Sequence, residues 1–551
     1  MVRDGRPQAV VVGAGPAGLS VAHELARRGV TVRLLDAAPA PAATGRSVAV
    51  HPRTLETFAQ MGVVDQLLAR GSKTTALTLH TGTNRPVRLE ADYSSTPTSH
   101  PYTLITGQQD VEAVLRLAVA RLGVQTEWDT DLTRVEQDEQ RVLLHLQRQG
   151  RTQVVETSWL IGCDGGPGTM PEQPHTDQTD PVSEHWALAG TPANGDLPPA
   201  TLSWGHISGQ TATTAPDLPG TRRDHPHTRR RHPTPVTHGD RPAPAGAFPT
   251  GWHTTGRLQQ GRIFITGNTT QAHATGNPQG LNAGVQDAYN LAWKLAQVIE
   301  GHAAPTLLDT YTHERLLHTQ HQPPTATLMT KVTRRLAHTA LTTTLRAARH
   351  LRPLRAALTR TLLSNLSGLA TAYPASPLTT HNTYHYICAI GPAVAAGTLH
   401  APHQHPHPGE RITTAPIHAP HTPACLALQA ELHDTRWTLL LAAGGTGPDD
   451  GPQGVAISAA LQYGPWLSVR TLTTTPTSTP HPLLDPDRQL RTALGLAAGG
   501  WLLIRPDGYL AARGSSLSRP ALRQALAPLD PTTPLPDRPP HEPHAAPAGR
   551  P

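Results

Sequence analysis

The segment 8–36 constrains the fold more than any other part of the chain. An apolar run of strand type at 8–12 leads into the glycine-rich turn 13–18 (GAGPAG), and apolar residues at helical spacing follow. A second apolar run at 30–35 ends in Asp36. Strand, glycine turn, helix and strand in this order build a parallel sheet that binds a nucleotide at the turn. The segment therefore predicts an α/β protein with a Rossmann-like domain.

The three glycines of the turn have different tasks. Gly13 permits the tight turn, Gly15 lets the backbone approach a pyrophosphate, and Gly18 lets the helix pack on the strand. The helix start offers N–H groups and a partial positive charge to the anion. Asp36 stands where a carboxylate accepts hydrogen bonds from ribose hydroxyls. A purely structural turn is the alternative, and the segment does not distinguish NAD from FAD.

Composition argues against several classes of protein. The 46 basic and 40 acidic side chains of the 551 residues leave a net charge of +6, and aromatic residues make up 4%, which disfavours a nucleic-acid binder. Cys163, Cys388 and Cys425 form no CxxC pair, so no disulfide framework is expected. No apolar run is long enough to span a membrane, and glycines interrupt the N-terminal apolar stretch that could imitate a signal peptide. We expect a soluble, cytoplasmic protein with no metal, nucleic-acid or membrane partner.

Further motifs indicate which nucleotide is bound. In chain order they are GRS at 45–47, HPRTLE at 51–56, GQQDVEAVL at 107–115, CDG at 163–165, GRIFITGN at 261–268 and QGLNAGVQDA at 279–288. Together they resemble the FAD-dependent aromatic hydroxylases, the para-hydroxybenzoate and phenol hydroxylase family, and especially its polyketide-modifying members. The resemblance covers 1–165 and 255–372, and a weaker one to the family's thioredoxin-like C-terminal domain covers 411–530.

The resemblance implies a fold and an activity. The fold is α/β, with a Rossmann-like FAD-binding domain, an inserted substrate sheet and a C-terminal thioredoxin-like α/β domain that serves docking or homodimer formation. The activity is that of an FAD-dependent monooxygenase of secondary metabolism. NAD(P)H reduces FAD, and the reduced flavin with O2 hydroxylates a phenolic or polycyclic, polyketide-like aromatic substrate.

On this basis the chain divides into six segments. They are the first part of the FAD-binding domain at 1–169, an irregular substrate-domain remnant at 170–255, the second part of the FAD-binding domain with further helices at 256–372, a linker at 373–410, the thioredoxin-like domain at 411–530 and a disordered tail at 531–551.

The resemblance also implies the cofactor-binding residues. These are Gly13, Gly15, Gly18, Asp36, Arg46, Gln108, Asp164, Gly165, Asn268, Gly280, Leu281 and Asn282. The backbone N–H groups of Leu281 and Asn282, at a helix start, are expected to stabilise the negative charge of a reduced flavin. An ordinary amphipathic core helix is the alternative interpretation of that segment. His273 is either a flavin contact or a solvated loop residue, and no catalytic base is assigned.

The sequence departs from the family pattern near the expected cofactor site. Asn268 stands where the family has an aspartate, Pro278 stands where it has a glycine, and GPG at 166–168 lacks the family's arginine. The segment 170–255 is rich in Pro, His, Thr and Arg and has too little strand pattern to build the substrate sheet. Two functions therefore remain open: an active monooxygenase, or a flavin-fold protein that has lost oxygenation and acts as a binding or assembly subunit.

Three other features have both a functional and a plain interpretation. The basic run 221–232 lacks interleaved aromatic residues, which favours an exposed loop over a nucleic-acid patch. His403, His405 and His407 have no Cys or acid to complete a metal site. Cys425 has no cysteine partner two residues further on, which argues against thiol–disulfide catalysis.

Overall fold

The structure is a computed structural model. It describes residues 6–42, 47–74, 76–80, 87–90, 98–163, 184–186, 201–207, 210–214, 248–250, 253–254, 258–267, 271–272, 279–321, 367–380, 405–412, 423–444, 451–476 and 482–530.

Strands and helices occur throughout the described residues. The strands are Ala9–Val12 (β1), Val32–Leu35 (β2), Ser47–Val50 (β3), Ser72–Thr74 (β4), Ala76–His80 (β5), Val87–Glu90 (β6), Thr103–Gly107 (β7), Thr126–Glu127 (β8), Thr130–Gln137 (β9), Val142–Arg148 (β10), Arg151–Thr157 (β11), Trp159–Gly162 (β12), Glu184–Trp186 (β13), Thr201–Ile207 (β14), Gln210–Thr214 (β15), Phe248–Thr250 (β16), His253–Thr254 (β17), Gln259–Gln260 (β18), Ile263–Ile265 (β19), Gln271–Ala272 (β20), Trp437–Ala442 (β21), Leu467–Thr473 (β22), Pro482–Leu484 (β23), Trp501–Ile504 (β24) and Leu510–Gly514 (β25). The α-helices are Pro16–Ala26 (α1), Pro52–Gln60 (α2), Val64–Leu68 (α3), Gln108–Arg121 (α4), Gln279–Ile299 (α5), Asp309–His321 (α6), Pro423–Glu431 (α7), Pro452–Tyr463 (α8), Gln489–Ala493 (α9) and Arg519–Leu526 (α10). Short 3-10 helices cover Pro305–Leu308 and Ala527–Leu529.

The sheet that contains β1 has six strands in the order β18-β19-β12-β1-β2-β8. Its neighbours pair in parallel except β18, which is antiparallel to β19. Both faces are buried: Ala9 and Val11 belong to the core shared with the helices, whereas Val10 and Val12 belong to the core shared with β9–β11. Burial on both faces explains why β1 is a continuous apolar run. The prediction of a Rossmann-like α/β fold is confirmed.

Helix α1 lies at the centre of the helical layer on this sheet. It contacts both α4 and α5, and Leu19, Ala22 and Leu25 of α1 share one core with Val285 and Ala288 of α5. The long helix α5, which comes much later in the chain, is thus brought beside the N-terminal glycine turn.

The expectation that 170–255 cannot contribute a sheet is wrong. Strands β14 and β15 from this segment form a four-stranded sheet in the order β15-β14-β5-β6. β14 pairs in parallel with β5, and the other two pairs are antiparallel. Two of the four strands come from earlier in the chain, so the segment needs to supply only two. Its threonines, which are β-branched, suit strand conformation although they give no apolar alternation.

A five-stranded sheet in the order β23-β22-β21-β24-β25 forms the C-terminal region. β21, β22 and β24 lie where the strand-like runs at 437–441, 466–472 and 501–504 predict them. One face shares a core with α5, where the rings of Trp293 and Trp437 meet edge to face with centroids 5.6 Å apart. The likeness to thioredoxin, the six segment boundaries and a homodimer stay predictions.

No helix in the part of the chain that the structure describes is long and apolar enough to cross a membrane. Most of the segment 325–372, where further helices are expected, lies outside the described residues, as do the basic run 221–232 and the tail 531–551.

Candidate functional site

The turn between β1 and α1 uses its glycines in two ways. Gly13 has a φ of 102°, a left-handed conformation that glycine adopts readily. A β-carbon at position 18 would collide with the carbonyl oxygen of Gly13, so only glycine allows this approach of helix to strand. Gly15 has ordinary extended angles, with φ −73° and ψ −178°, and no described atom lies within 4 Å of a β-carbon built there. The fold itself therefore does not require glycine at position 15, whereas a ligand approaching the backbone does.

The N-terminus of α1 adds an anion-binding feature to this turn. Gly15 is the N-cap residue, Pro16 follows at the first helical position, and no side chain among the described residues caps the helix. The first N–H groups of a helix have no intrahelical acceptor, and the helix dipole places partial positive charge there. An uncapped N-terminus beside an open glycine is the arrangement that binds a pyrophosphate.

Asp36 lies at the end of β2 and is bonded to the glycine turn. Its Oδ2 accepts a hydrogen bond from the backbone N–H of Ala14 at 2.6 Å, and its Oδ1 accepts one from Ala38 at 2.8 Å. The carboxylate therefore holds the turn against β2. An ionised carboxylate has about four acceptor sites, so these two bonds leave capacity for ribose hydroxyls. The contact with the ribose stays a prediction.

Segments far apart in sequence meet at the start of α1. A β-carbon built on Gly267, just after β19, would lie 2.9 Å from Cβ of Ala17. One built on Gly284 in α5 would lie 3.1 Å from Cα of Gly267 and 3.4 Å from Cβ of Ala17. The segment after β19 and the first turns of α5 therefore pack directly against the N-terminal glycine turn. The motifs at 13–18, 261–268 and 279–288 surround one location.

Asn282, in the first turns of α5, connects this helix to the chain between β3 and α2. Its Oδ1 accepts the N–H of His51 at 2.9 Å, and its Nδ2 donates to the carbonyl oxygen of Ala49 at 2.8 Å. The side chain of Asn282 is thus a buried structural link. Gly280 and Leu281 are half-buried beside it, and the expected backbone contacts with the flavin stay predictions.

Gln108 is the first residue of α4, and its Nε2 donates to Oε1 of Glu112 at 2.8 Å. Its contact with the cofactor stays a prediction. Several other expected site residues lie outside the described residues, namely Arg46, Asp164, Gly165, Asn268 and His273.

Cys425 is a buried free cysteine. No metal-binding cluster of His, Cys, Asp and Glu occurs within the described ranges.

His51 is a buried residue, bonded to Asn282, whose function the motifs did not indicate. It is the N-cap residue of α2, its Nδ1 lies 3.3 Å from Oγ1 of Thr103, and its buried Nε2 has no hydrogen-bond partner among the residues described. Burial lowers the pKa of His51 to about 4, so its imidazole is neutral at pH 7. The sequence signal was the Pro52 that follows it, since proline favours the first position of a helix and places His51 at the N-cap.

We expect His51 to make the fold less stable in mild acid. The pKa of His51 is about 4 in the folded protein and 6.5 unperturbed, so between these values the unfolded chain binds more protons. The free energy of unfolding must then decrease as pH falls through this window. At pH 5 the loss is about 2 kcal/mol. Urea unfolding at pH 7 and pH 5 measures this loss of free energy. The variant His51→Gln has no titrating imidazole at this position, so its loss should be smaller than that of the wild type by about 2 kcal/mol. An equal loss in both proteins would contradict the assignment.

A Rossmann-like sheet, an open glycine at an uncapped helix start and a second motif that reaches the same turn define an FAD-binding protein. The family model for an FAD binding domain matches residues 6–198 and 206–322. The chain belongs to this family and is an FAD-dependent aromatic monooxygenase, as the resemblance of its motifs implies.

Two relatives and one solved structure give the range of similarity. The chain is 35% identical over 546 residues to the 6-methylpretetramide 4-monooxygenase of Streptomyces rimosus. The matched region covers 95% of this chain and 93% of that protein. It is 29% identical over 331 residues to the pentachlorophenol 4-monooxygenase of Sphingobium chlorophenolicum, covering 56% of this chain and 61% of that protein. The flavin-dependent monooxygenase PieE, solved with FAD and substrate, has a TM-score of 0.65 at 21% identity, with 95% of this chain and 100% of that chain covered. At 21% identity, the similarity to PieE shows a shared fold only.

Proposed function

We propose that this chain hydroxylates a fused-ring, phenolic polyketide, with FAD as cofactor and with NAD(P)H and O2 as co-substrates. The observation that carries the substrate class is the similarity to the pretetramide monooxygenase, which extends over 95% of this chain. It therefore includes the middle segment and the C-terminal region, beyond the match to the FAD-binding domain.

The residues of the turn are suited to hold FAD. The open backbone at Gly15 and the uncapped start of α1 bind the pyrophosphate, and Asp36 has acceptor capacity for the ribose. When bound there, FAD would supply the redox chemistry of the reaction, namely hydride uptake from NAD(P)H and activation of O2 for aromatic hydroxylation. The protein contributes binding, orientation and charge stabilisation.

The start of α5 is suited to orient the reactive ring of the cofactor. Its partial positive charge, expected at Leu281 and Asn282, favours the anionic form of a reduced flavin. The side chain of Asn282 holds this helix start against Ala49 and His51, so the position of its N–H groups is fixed by the fold. The sheet β15-β14-β5-β6 is proposed to cover the substrate, as the resemblance implies for an inserted sheet.

Turnover with isotopically labelled oxygen tests this function. Purified protein loaded with FAD should oxidise NADPH faster in the presence of a tetracyclic phenol, and the product should carry one oxygen atom from 18O2. Gly15→Val, which is expected not to bind FAD, is the control for background oxidation.

Other outcomes would select other functions. Bound flavin without substrate-stimulated NADPH oxidation and without oxygen transfer would support a binding or assembly subunit. Oxygen transfer to monocyclic phenols alone would reject the polyketide class and keep the monooxygenase.

A further inference from the structure

The hairpin turn 505–508, between β24 and β25 of the C-terminal sheet, inserts among helices of the FAD-binding region. Arg505 donates through Nη1 and Nη2 to the two carboxylate oxygens of Glu314 in α6, at 2.6 and 3.0 Å. The carboxylate of Asp507 accepts the indole N–H of Trp293 in α5 at 3.0 Å. All four side chains are buried. The hairpin is therefore bonded to α5 and α6.

The same hairpin is bonded to α2. Nη2 of Arg53 donates to the backbone carbonyl oxygen of Asp507 at 2.8 Å, and the Arg53 guanidinium lies over the ring of Tyr509, 5.1 Å from its centroid. Arg53 is the second residue of α2, two positions after His51. The backbone of His51 is in turn bonded to Asn282 at the start of α5. A short chain of contacts thus leads from the hairpin to the residues beside the glycine turn.

The chemistry of these contacts is better suited to fixing geometry than to adding stability. A buried ion pair loses hydration, and replacing it by apolar residues is often neutral or stabilising. Fork-like hydrogen bonds from arginine, however, are satisfied in only one relative placement of their partners. Apolar packing alone, such as that between Trp293 and Trp437, restricts orientation less tightly. The fork from Arg505 to Glu314 therefore fixes the hairpin against α6. Single hydrogen bonds from Arg53 and Trp293 to Asp507 then connect the fixed hairpin to α2 and α5.

We propose that the hairpin 505–508 is a positioning element of the flavin site, which sets the spacing of α2 and α5 through Arg53 at the start of α2 and Trp293 in the C-terminal half of α5. The C-terminal region then contributes to cofactor binding without touching the cofactor. This inference rests on the proposed placement of FAD between the glycine turn and α5.

The variant Arg53→Met tests the proposal, with Arg470→Met as its matched control. Arg470 pairs with Glu431 at 2.6 Å, as Arg53 pairs with Glu56 at 3.3 Å, but both Arg470 and Glu431 lie within the C-terminal region. We expect Arg53→Met to raise the Kd for FAD about tenfold, the size of one charge-assisted hydrogen bond. It should also change the visible spectrum of the bound flavin. Arg470→Met should lower the melting temperature of the apoprotein while leaving Kd and spectrum unchanged.

A milder variant guards against simple misfolding. Trp293→Phe keeps the aromatic packing and removes only the donor to Asp507, and we expect a smaller rise in Kd in the same direction. An unchanged Kd and spectrum in Arg53→Met, or an equal rise in Arg470→Met, would overturn the positioning role alone. Wild-type protein that binds no FAD would overturn the flavin site and this inference with it.

Discussion

Gly15→Val should weaken FAD binding at least about a thousandfold, which corresponds to about 4 kcal/mol. The backbone of Gly15 suits any residue, and no described atom lies within 4 Å of a β-carbon built there. The added side chain therefore meets no described atom and fills the space through which we propose that a pyrophosphate approaches the N–H groups of α1. The apoprotein should lose no more than about 1 kcal/mol, the cost of replacing glycine at an N-cap. Flavin fluorescence titration and urea unfolding of the apoprotein measure the two quantities.

Gly18→Ala is the contrasting variant in the same turn. Its methyl group would collide with the carbonyl oxygen of Gly13, so it should destabilise the apoprotein by about 1–3 kcal/mol. A Gly15→Val protein with wild-type affinity would show that the cofactor phosphates do not approach this backbone.

Glu314→Gln should lower the free energy of unfolding by about 3–5 kcal/mol, because it removes the counter-charge of buried Lys294 and leaves buried Arg505 with Asp507 alone. Glu314 accepts hydrogen bonds from Nη1 and Nη2 of Arg505, from Nζ of Lys294 at 2.8 Å and from Oγ of Ser376 at 2.6 Å. Burial would raise the pKa of Glu314, but the attraction of Arg505 and Lys294 holds that pKa well below its usual range. The carboxylate is thus ionised and fully engaged.

Two further variants grade this effect. Ser376→Ala removes one hydrogen bond to the charged carboxylate and should cost about 1.5 kcal/mol. Arg134→Met breaks an exposed ion pair with Glu136 and should cost less than about 0.5 kcal/mol. Urea unfolding of the four proteins gives the order. A Glu314→Gln protein as stable as Arg134→Met would mean that the buried cluster is open to water.

The N-terminal nucleotide-binding unit could be predicted from the sequence because its signals are local. An apolar run buried on both faces identifies β1, and the turn glycines act on neighbours within the same few residues. Longer motifs identified the family, since each constrains a short stretch of backbone that a cofactor touches. The placement of α5 near the cofactor stays a prediction, which the motif at 279–288 implies through its resemblance to the family.

The side-chain contacts at the site could not be predicted in the same way. Asp36 was assigned to the ribose, and its carboxylate also holds Ala14 against β2. Asn282 was assigned to the flavin through its backbone, and its side chain joins α5 to His51. In each case a polar group satisfies a nearby backbone group that becomes its neighbour only after the chain has folded.

Local patterns thus predicted a nucleotide-binding turn between a strand and a helix, because turns, periodicity and helix starts involve neighbouring residues. The resemblance of the longer motifs to a known family then implied that the nucleotide is FAD. Two other features are visible only in the tertiary structure. They are the pairing of Glu314 with Arg505, which are 191 positions apart, and the sheet that joins β5 to β14. A charged residue becomes tolerable in a core only when its partner arrives from elsewhere in the chain. The residues adjacent in sequence to Glu314 or Arg505 therefore do not indicate this pairing.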